Sequence, residues 1–309
     1  MKIIFWGNSH FSLKPFQILI EQFSIKALVT APNTFVGRGL KQLRLNPVKE
    51  LALKYDIPVL QPQKLKNNLE FQKQLLDFNP DFHVIVSYGR LIPVELLELV
   101  DYKFINLHAS LLPELRGPSP IQYALWQGSA FTGNTVQFLA EGMDEGDIIA
   151  QSRVAILPQD NYEILEEKLA KDGAELLSKV LRDINKKSYN RTPQDHQSST
   201  YTKLIHKEDG AVYFSMSADD IYNAFRAFHQ KPGIYLPLEM GNVKILDCEP
   251  VIWPQEEQGK ILSIGRRGVL VATYENAILL KILQAPAKKS VSGFDFANGL
   301  RLKERMFLK

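Results

Sequence analysis

The chain has one cysteine among 309 residues, Cys248. No internal disulfide can form, and a zinc site built on paired cysteines is excluded. A lone thiol suits a reducing compartment, and a cytoplasmic location is expected. The six histidines show no paired ligand spacing, so no metal is expected. Long hydrophobic runs are missing too. The opening Met1-Lys2-Ile3-Ile4-Phe5-Trp6-Gly7 turns polar too soon for a signal or membrane segment, and no other stretch approaches the roughly 20 apolar residues of a span. Glycine is scarce in the first turn. Gly7-Asn8-Ser9-His10-Phe11 lacks G-x-G-x-x-G, so a nicotinamide or flavin dinucleotide is not expected. Net charge is only +3, compatible with a nucleic-acid partner but no pointer to one.

What is present reads as two domains, given the length and an ordinary 45% hydrophobic and 23% charged content. Apolar runs at 2–6, 25–30, 59–60 and 82–86 predict strands. Helical periodicity from Ser12, from Pro47 to Tyr55 and over 71–78 alternates with them. This is the pattern of an α/β, Rossmann-like domain. Further on, a helix is expected over 118–126, with strands over 135–139 and 148–156. Asp160 with Glu163 resembles a capping box for a helix reaching Ile184. A polar stretch without apolar periodicity follows, read as a linker. Beyond a helix over 218–228, short strands are expected over 243–246, 260–264, 268–273 and 277–283. That spacing suggests a small β-barrel. The boundaries are a catalytic domain over 1–185, a linker over 186–204 and a barrel domain over 205–309.

The centre of the chain is 104–117, Phe-Ile-Asn-Leu-His-Ala-Ser-Leu-Leu-Pro-Glu-Leu-Arg-Gly. Its start is a strand, in which Asn106 and His108 lie two apart and emerge on one face. The strand runs into a turn at the edge where open α/β sheets place their sites. A second stretch, Glu141-Gly142-Met143-Asp144-Glu145-Gly146-Asp147, offers a carboxylate on a glycine-flanked loop. Together these are an amide donor, an imidazole and an anion to orient it.

Asn-x-His-x-Ser-Leu-Leu-Pro followed by Asp-x-Gly-Asp in this order and spacing resembles the folate-dependent formyltransferases, and the likeness extends along essentially the whole chain. Departures are Trp6, Asn8, Ser9 and His10 in the first turn, and Ala287 where the family usually has glycine. The resemblance implies 10-formyltetrahydrofolate as cosubstrate, an OB-like C-terminal barrel, and catalysis by Asn106, His108 and Asp144. An amine attacking the formyl carbon develops an oxyanion that Asn106 would hold while His108 moves protons. No nucleophilic side chain is called for. The implied folate contacts are Tyr88, Gly89, Leu91 and Ile92 after the 82–86 strand, with Ser110, Leu111, Leu112 and Pro113; no role is assigned to Arg90.

From Asn33 to Lys49 there is no acidic residue, and two glycines flank Arg38. Gly37-Arg38-Gly39-Leu40-Lys41 is similar to the loop that the tRNA-acting branch of this family inserts here. Arg38, Lys41 and Arg44 are therefore expected to bind RNA, and the acceptor to be the α-amine of initiator methionyl-tRNA. An amino sugar nucleotide or another small amine is the alternative. Arg266, Arg267, Lys281, Lys288 and Lys289 are expected to add a basic face on the barrel. The protein is expected to work as a monomer.

Overall fold

Ile3, Ile4, Phe5 and Trp6 are all fully buried, which a strand achieves when both faces of its sheet are covered. The computed structural model describes residues 1–36, 42–44, 46–99, 104–229 and 231–309, with backbone alone for 34–36 and 42–44. Strand β1 (Lys2–Gly7) leads through a short 3₁₀ turn to α1 (Leu13–Gln22) and β2 (Ser24–Val29). A hairpin of β3 (Thr34–Val36) and β4 (Gln42–Arg44) precedes α2 (Pro47–Lys54), β5 (Val59–Leu60), α3 (Leu69–Asp77) and β6 (Phe82–Val86). Next come α4 (Val94–Leu97), β7 (Phe104–His108), α5 (Pro120–Trp126), β8 (Phe131–Phe138), β9 (Ile148–Ala155) and α6 (Tyr162–Asn185). The last part holds α7 (Ala218–Ala227), β10 (Ile234–Leu238), β11 (Gly241–Val251), β12 (Ile261–Gly265), β13 (Gly268–Ala272), β14 (Ala277–Gln284), β15 (Val291–Ser292) and α8 (Gly293–Gly299). None of the described helices is long and apolar enough to cross a membrane.

Two compact units result. The first gathers residues 1–120, 131–155 and 165–202; the second gathers 121–130, 156–164 and 203–309. In the first, a seven-stranded sheet runs β5-β2-β1-β6-β7-β8-β9. Its β5, β2, β1, β6 and β7 pair in parallel, as the alternating pattern implied. Strands β8 and β9 instead join antiparallel, a direction that hydrophobic patterning does not specify. Period two sorts β1: Ile4 and Trp6 join Val29, Phe71, Tyr88 and Phe104 in one core cluster. Phe5 stacks on Phe16 at 4.5 Å. Residues 186–202, expected as a linker, belong to this first unit.

The second unit is an antiparallel sheet in the order β10-β11-β14-β13-β12, with β15 on β14. It also takes in residues 121–130 and 156–164 from earlier in the chain. Trp126 meets Phe228 at 4.9 Å, and the Arg226 guanidinium donates to the carbonyls of Leu157 and Asp160. Burial lowers the pKa of Arg226. The expected cap needs correction. Asn161 accepts the N–H of Ile164, whereas Asp160 accepts that of Leu157 in the preceding turn. The expected basic face is partly neutralised: Lys281 pairs with Glu249 at 2.6 Å and Asp247 at 3.7 Å, and Arg267 also pairs with Glu249. Glu249 raises the pKa of Lys281. Arg266, Lys288 and Lys289 stay exposed.

Helix α6 lies close against the first sheet at Gly173, whose added Cβ would stand 2.9 Å from Asn134 Oδ1 and 3.0 Å from Leu107 Cδ2. Asn134 is pinned there by its bonds to the Leu169 carbonyl and the Asp172 carboxylate. Gly173→Val is therefore expected to cost about 1–3 kcal/mol through overpacking, read as a lower midpoint of thermal or urea unfolding. A midpoint at or above that of the parent chain would contradict the close approach.

Candidate active site

Strand β7 is buried along its whole length, and its alternation sends Asn106 and His108 to one face. Across the antiparallel ladder, Asn106 stands opposite Gln137 and His108 opposite Thr135. Directly opposed side chains share a face and lie within contact. Four polar side chains thus gather on two adjacent strands. Among them Asn106 and His108 are 8% and 7% exposed, nearly closed off from solvent.

Asp144 reaches this face by an unexpected route. Because β8 runs antiparallel, its end lies level with Phe104 and Ile105, away from the edge where His108 sits. The 139–147 loop brings Asp144 back over the face. Its Oδ1 accepts from Asn106 Nδ2 and Gln137 Nε2, each at 3.4 Å. Its Oδ2 accepts from the backbone N–H of Gly117 at 2.8 Å and lies 3.7 Å from His108 Nδ1. The residue itself has φ of 55°, a left-handed conformation that aspartate tolerates better than most side chains.

The imidazole has one hydrogen bond that settles its tautomer. His108 Nε2 lies 2.9 Å from the carbonyl oxygen of Leu115, and a carbonyl only accepts. Nε2 therefore carries a hydrogen. Nδ1 is left facing the Asp144 carboxylate at a distance beyond a hydrogen bond. Nδ1 is thus the ring nitrogen with no hydrogen bond to the main chain, and it faces the carboxylate.

Three consecutive residues hold this arrangement. Leu115 holds the imidazole through its carbonyl, and Gly117 holds the Asp144 carboxylate through its amide. Between them the fully buried Arg116 sends Nε and Nη2 to Gln194 Oε1 at 3.1 and 2.8 Å. It also donates to Tyr201 Oη at 2.9 Å and to Glu145 at 3.3 Å. Gln194 then donates from Nε2 to the carbonyls of Asp144 and Gly146 at 2.8 and 2.7 Å, with Gln137 Oε1 at 3.1 Å. The turn is bound in its own right. Leu115 N donates to Thr200 Oγ1, Arg116 N to the Thr200 carbonyl, and Thr202 N to the Arg116 carbonyl. Sequence reasoning did not assign Arg116, Gln137 or Gln194. The placement of Gln137 opposite Asn106 needed the antiparallel pairing. Gln194 lies in a polar stretch with no periodic signal.

The folate candidates fall into two groups. Tyr88 turns its ring into the core beside Trp6, at 5.3 Å edge-on, and burial raises its pKa. The segment therefore offers backbone from Tyr88 and Gly89 and the exposed Leu91, with Ile92 half-buried against the core. It follows β6, which pairs with β7, so it begins beside the end of the strand that carries His108. The second group is more inward. Ser110 Oγ donates to the Glu114 carbonyl, Leu112 N to Thr135 Oγ1, and Gln151 to the Leu112 carbonyl. The Leu112–Pro113 bond is cis, and Leu111 is half-buried. Arg90 donates to the carbonyls of Pro62 and Gln63. Arg38 and Lys41 lie outside the described residues, and Arg44 is described by its backbone in β4 alone. Among the described residues no three histidine, cysteine or carboxylate side chains gather as a metal site.

The family model "Formyl transferase" matches residues 1–181, and "Formyl transferase, C-terminal domain" matches residues 204–301. A methionyl-tRNA formyltransferase of Sulfurihydrogenibium sp. (strain YO3AOP1) is 40% identical over 306 residues, covering 98% of each chain. That of Caldicellulosiruptor saccharolyticus is 41% identical over 98% of each, and that of Bacillus subtilis is 37% identical over 98% of this chain and 96% of its own. Among solved structures, an N-formyltransferase of Helicobacter canadensis aligns with TM-score 0.69 at 18% identity, covering 91% of this chain and 98% of that one. HypX of Aquifex aeolicus aligns over 98% of this chain with TM-score 0.64 at 14% identity, and the chain spans about half of its length. At these identities the two structures speak for the fold alone.

The close fit of the 139–147 loop is testable. A Cβ added at Gly146 would lie 1.8 Å from the Phe138 carbonyl oxygen, so the backbone must move. Gly146→Ala should displace Asp144 and break its bond from the Gly117 amide. Hydrogen bonds to charged groups contribute about 1.5–3 kcal/mol, so that amide should exchange at least ~10-fold faster, with the sheet amides unchanged. Unaltered protection of Gly117 would show that the loop can absorb the extra carbon.

Proposed function

The chain belongs to the formyl transferase family, and we propose that Asn106, His108 and Asp144 carry out its reaction. The protein transfers the formyl group of 10-formyltetrahydrofolate to the α-amino group of initiator methionyl-tRNA. The observation that carries the choice of acceptor is full-length likeness, through both domains, to relatives that bear the name methionyl-tRNA formyltransferase.

The folate supplies an activated formyl group on N10. The chain's own residues do the rest. Asn106 presents Nδ2 beside Asp144 and keeps a second N–H for the oxygen on which negative charge develops. His108 and Asp144 handle the protons: the attacking amine must lose one, and the departing N10 must gain one. His108 Nδ1, which faces Asp144 beyond hydrogen-bond distance, is the atom that takes up and returns the proton. The low exposure of the two side chains strengthens these interactions by keeping most water away.

The turn after β6 suits a flat heterocycle. A Cβ added at Gly89 would meet nothing within 4 Å, and Leu91 is 71% exposed beside it, so backbone and an apolar side chain are open together. Tyr88, Gly89, Leu91 and Ile92 form this edge, with Ser110 through Pro113 shaping the wall on the neighbouring strand's turn. Arg38, Lys41 and Arg44 contact the tRNA, supported by the absence of acidic residues from Asn33 to Lys49. The three catalytic candidates lie within one unit of one chain, so a monomer is complete for chemistry. The acceptor and the lone thiol support a cytoplasmic location. Residues 1–185 supply the catalytic domain and 205–309 the domain that assists tRNA binding, while 186–202 pack with the first unit.

The test is formyl transfer from 10-formyltetrahydrofolate to methionyl-tRNA. His108→Ala and Asp144→Asn should each lower turnover by roughly 10²–10⁴-fold, the range for lost acid–base catalysis. Arg38→Ala should lower transfer to tRNA while folate binding stays close to that of the parent. Near-parental turnover in a folded His108 or Asp144 variant would remove the assigned roles. Formylation of an amino sugar nucleotide in place of methionyl-tRNA would overturn the acceptor.

A further inference from the structure

We propose that Arg116 and Gln194 are positioning residues, which set the pose of Asp144 against His108 through a directional relay of hydrogen bonds. This inference rests on the catalytic reading of His108 and Asp144. The direction of the relay follows from donor and acceptor chemistry alone. A guanidinium only donates, so the oxygen of the Gln194 amide must face Arg116. Its nitrogen must then face the Asp144 and Gly146 carbonyls, which only accept. The amide cannot be flipped without opposing like groups at both ends.

The energetics explain why such a relay would be retained. Arg116 is fully buried, and a buried cation without partners is strongly disfavoured. Gln194, Tyr201 and Glu145 satisfy it, with His196 Nδ1 at 3.4 Å from two of its nitrogens. Gln194 is itself 6% exposed and spends its N–H groups on the main chain of the loop. Asp144 sits at φ 55°, a backbone state that needs external support in a non-glycine residue. The bonds to its own carbonyl and to that of Gly146 supply it. The oxygens of the carboxylate then stand at fixed distances from Asn106, Gln137, Gly117 and His108. A misplacement near 1 Å in such a pair costs about 10²-fold in rate.

The isosteric Gln194→Glu isolates the donor. It keeps the shape and an oxygen for Arg116, but presents an oxygen to two carbonyls where a donor stood. In the full chain, kcat for formyl transfer should fall by ~10²-fold and the pH–rate profile should move, with the KM for 10-formyltetrahydrofolate within about twofold of the parent. A purely structural role would not move the pH profile. Gln194→Leu, which removes both ends of the relay, should behave alike if Gln194→Glu fails to fold. In a His108→Ala background either change should lower the residual rate by less than about threefold, because groups acting as one unit do not add. Parental kcat in both Gln194 variants, or the same fold-loss with and without His108, would overturn the proposal. A damaged His108→Ala beside parental Gln194 variants would overturn the positioning role alone. Parental turnover in His108→Ala would overturn the catalytic reading and this inference with it.

Discussion

The hydrogen bond from His108 Nε2 to the carbonyl of Leu115 is the contact on which the site depends. It consumes one ring nitrogen, fixes the plane of the imidazole and leaves Nδ1 facing Asp144. The carbonyl belongs to a turn that makes two further commitments within two residues. The Arg116 side chain leads through Gln194 to the loop main chain, and the Gly117 amide binds the carboxylate. One short turn thus orients the imidazole and the anion together, so that neither shifts without the other.

Charge explains why the turn is so heavily bonded. Arg116 is buried and positive and donates to Gln194, Tyr201 and Glu145, while the largely shielded Asp144 carboxylate accepts from Asn106, Gln137 and the Gly117 amide. In a weakly solvated site each such bond is stronger, and each unmet group more costly, than in water. Residues 200–202 finish the enclosure by pairing with the backbone of Leu115 and Arg116. A stretch expected to do no more than join two domains therefore contributes Gln194, Tyr201 and Thr202 to the framework of the site.

The parallel part of the first sheet was legible because buried strands and amphipathic helices alternate with clear periods. Asn106 and His108 were legible for the same reason: two residues apart on a strand means one face. Asp144 was legible as a residue but not in its path, since nothing in β8 marks it as antiparallel, and its loop returns over the face instead of from the edge. Tyr88 was expected among the folate contacts, yet its ring fills the core beside Trp6 and leaves only its backbone to the turn. Lys281 read as a free cation because its partners, Asp247 and Glu249, lie on a neighbouring strand. Gln194 carried no signal at all. A single amide in a polar segment acquires its meaning only from the buried guanidinium and the carbonyls on either side of it.

The most direct test of this account is the tautomer of His108, read from ¹⁵N chemical shifts and one-bond couplings of the ring in labelled protein held above the titration of the imidazole. The account predicts the remaining hydrogen on Nε2, donated to Leu115, with Nδ1 bare toward Asp144. A hydrogen found on Nδ1 with Nε2 bare would contradict it, because a bare nitrogen cannot bond a carbonyl oxygen. The turn would then not be what sets the imidazole against its carboxylate.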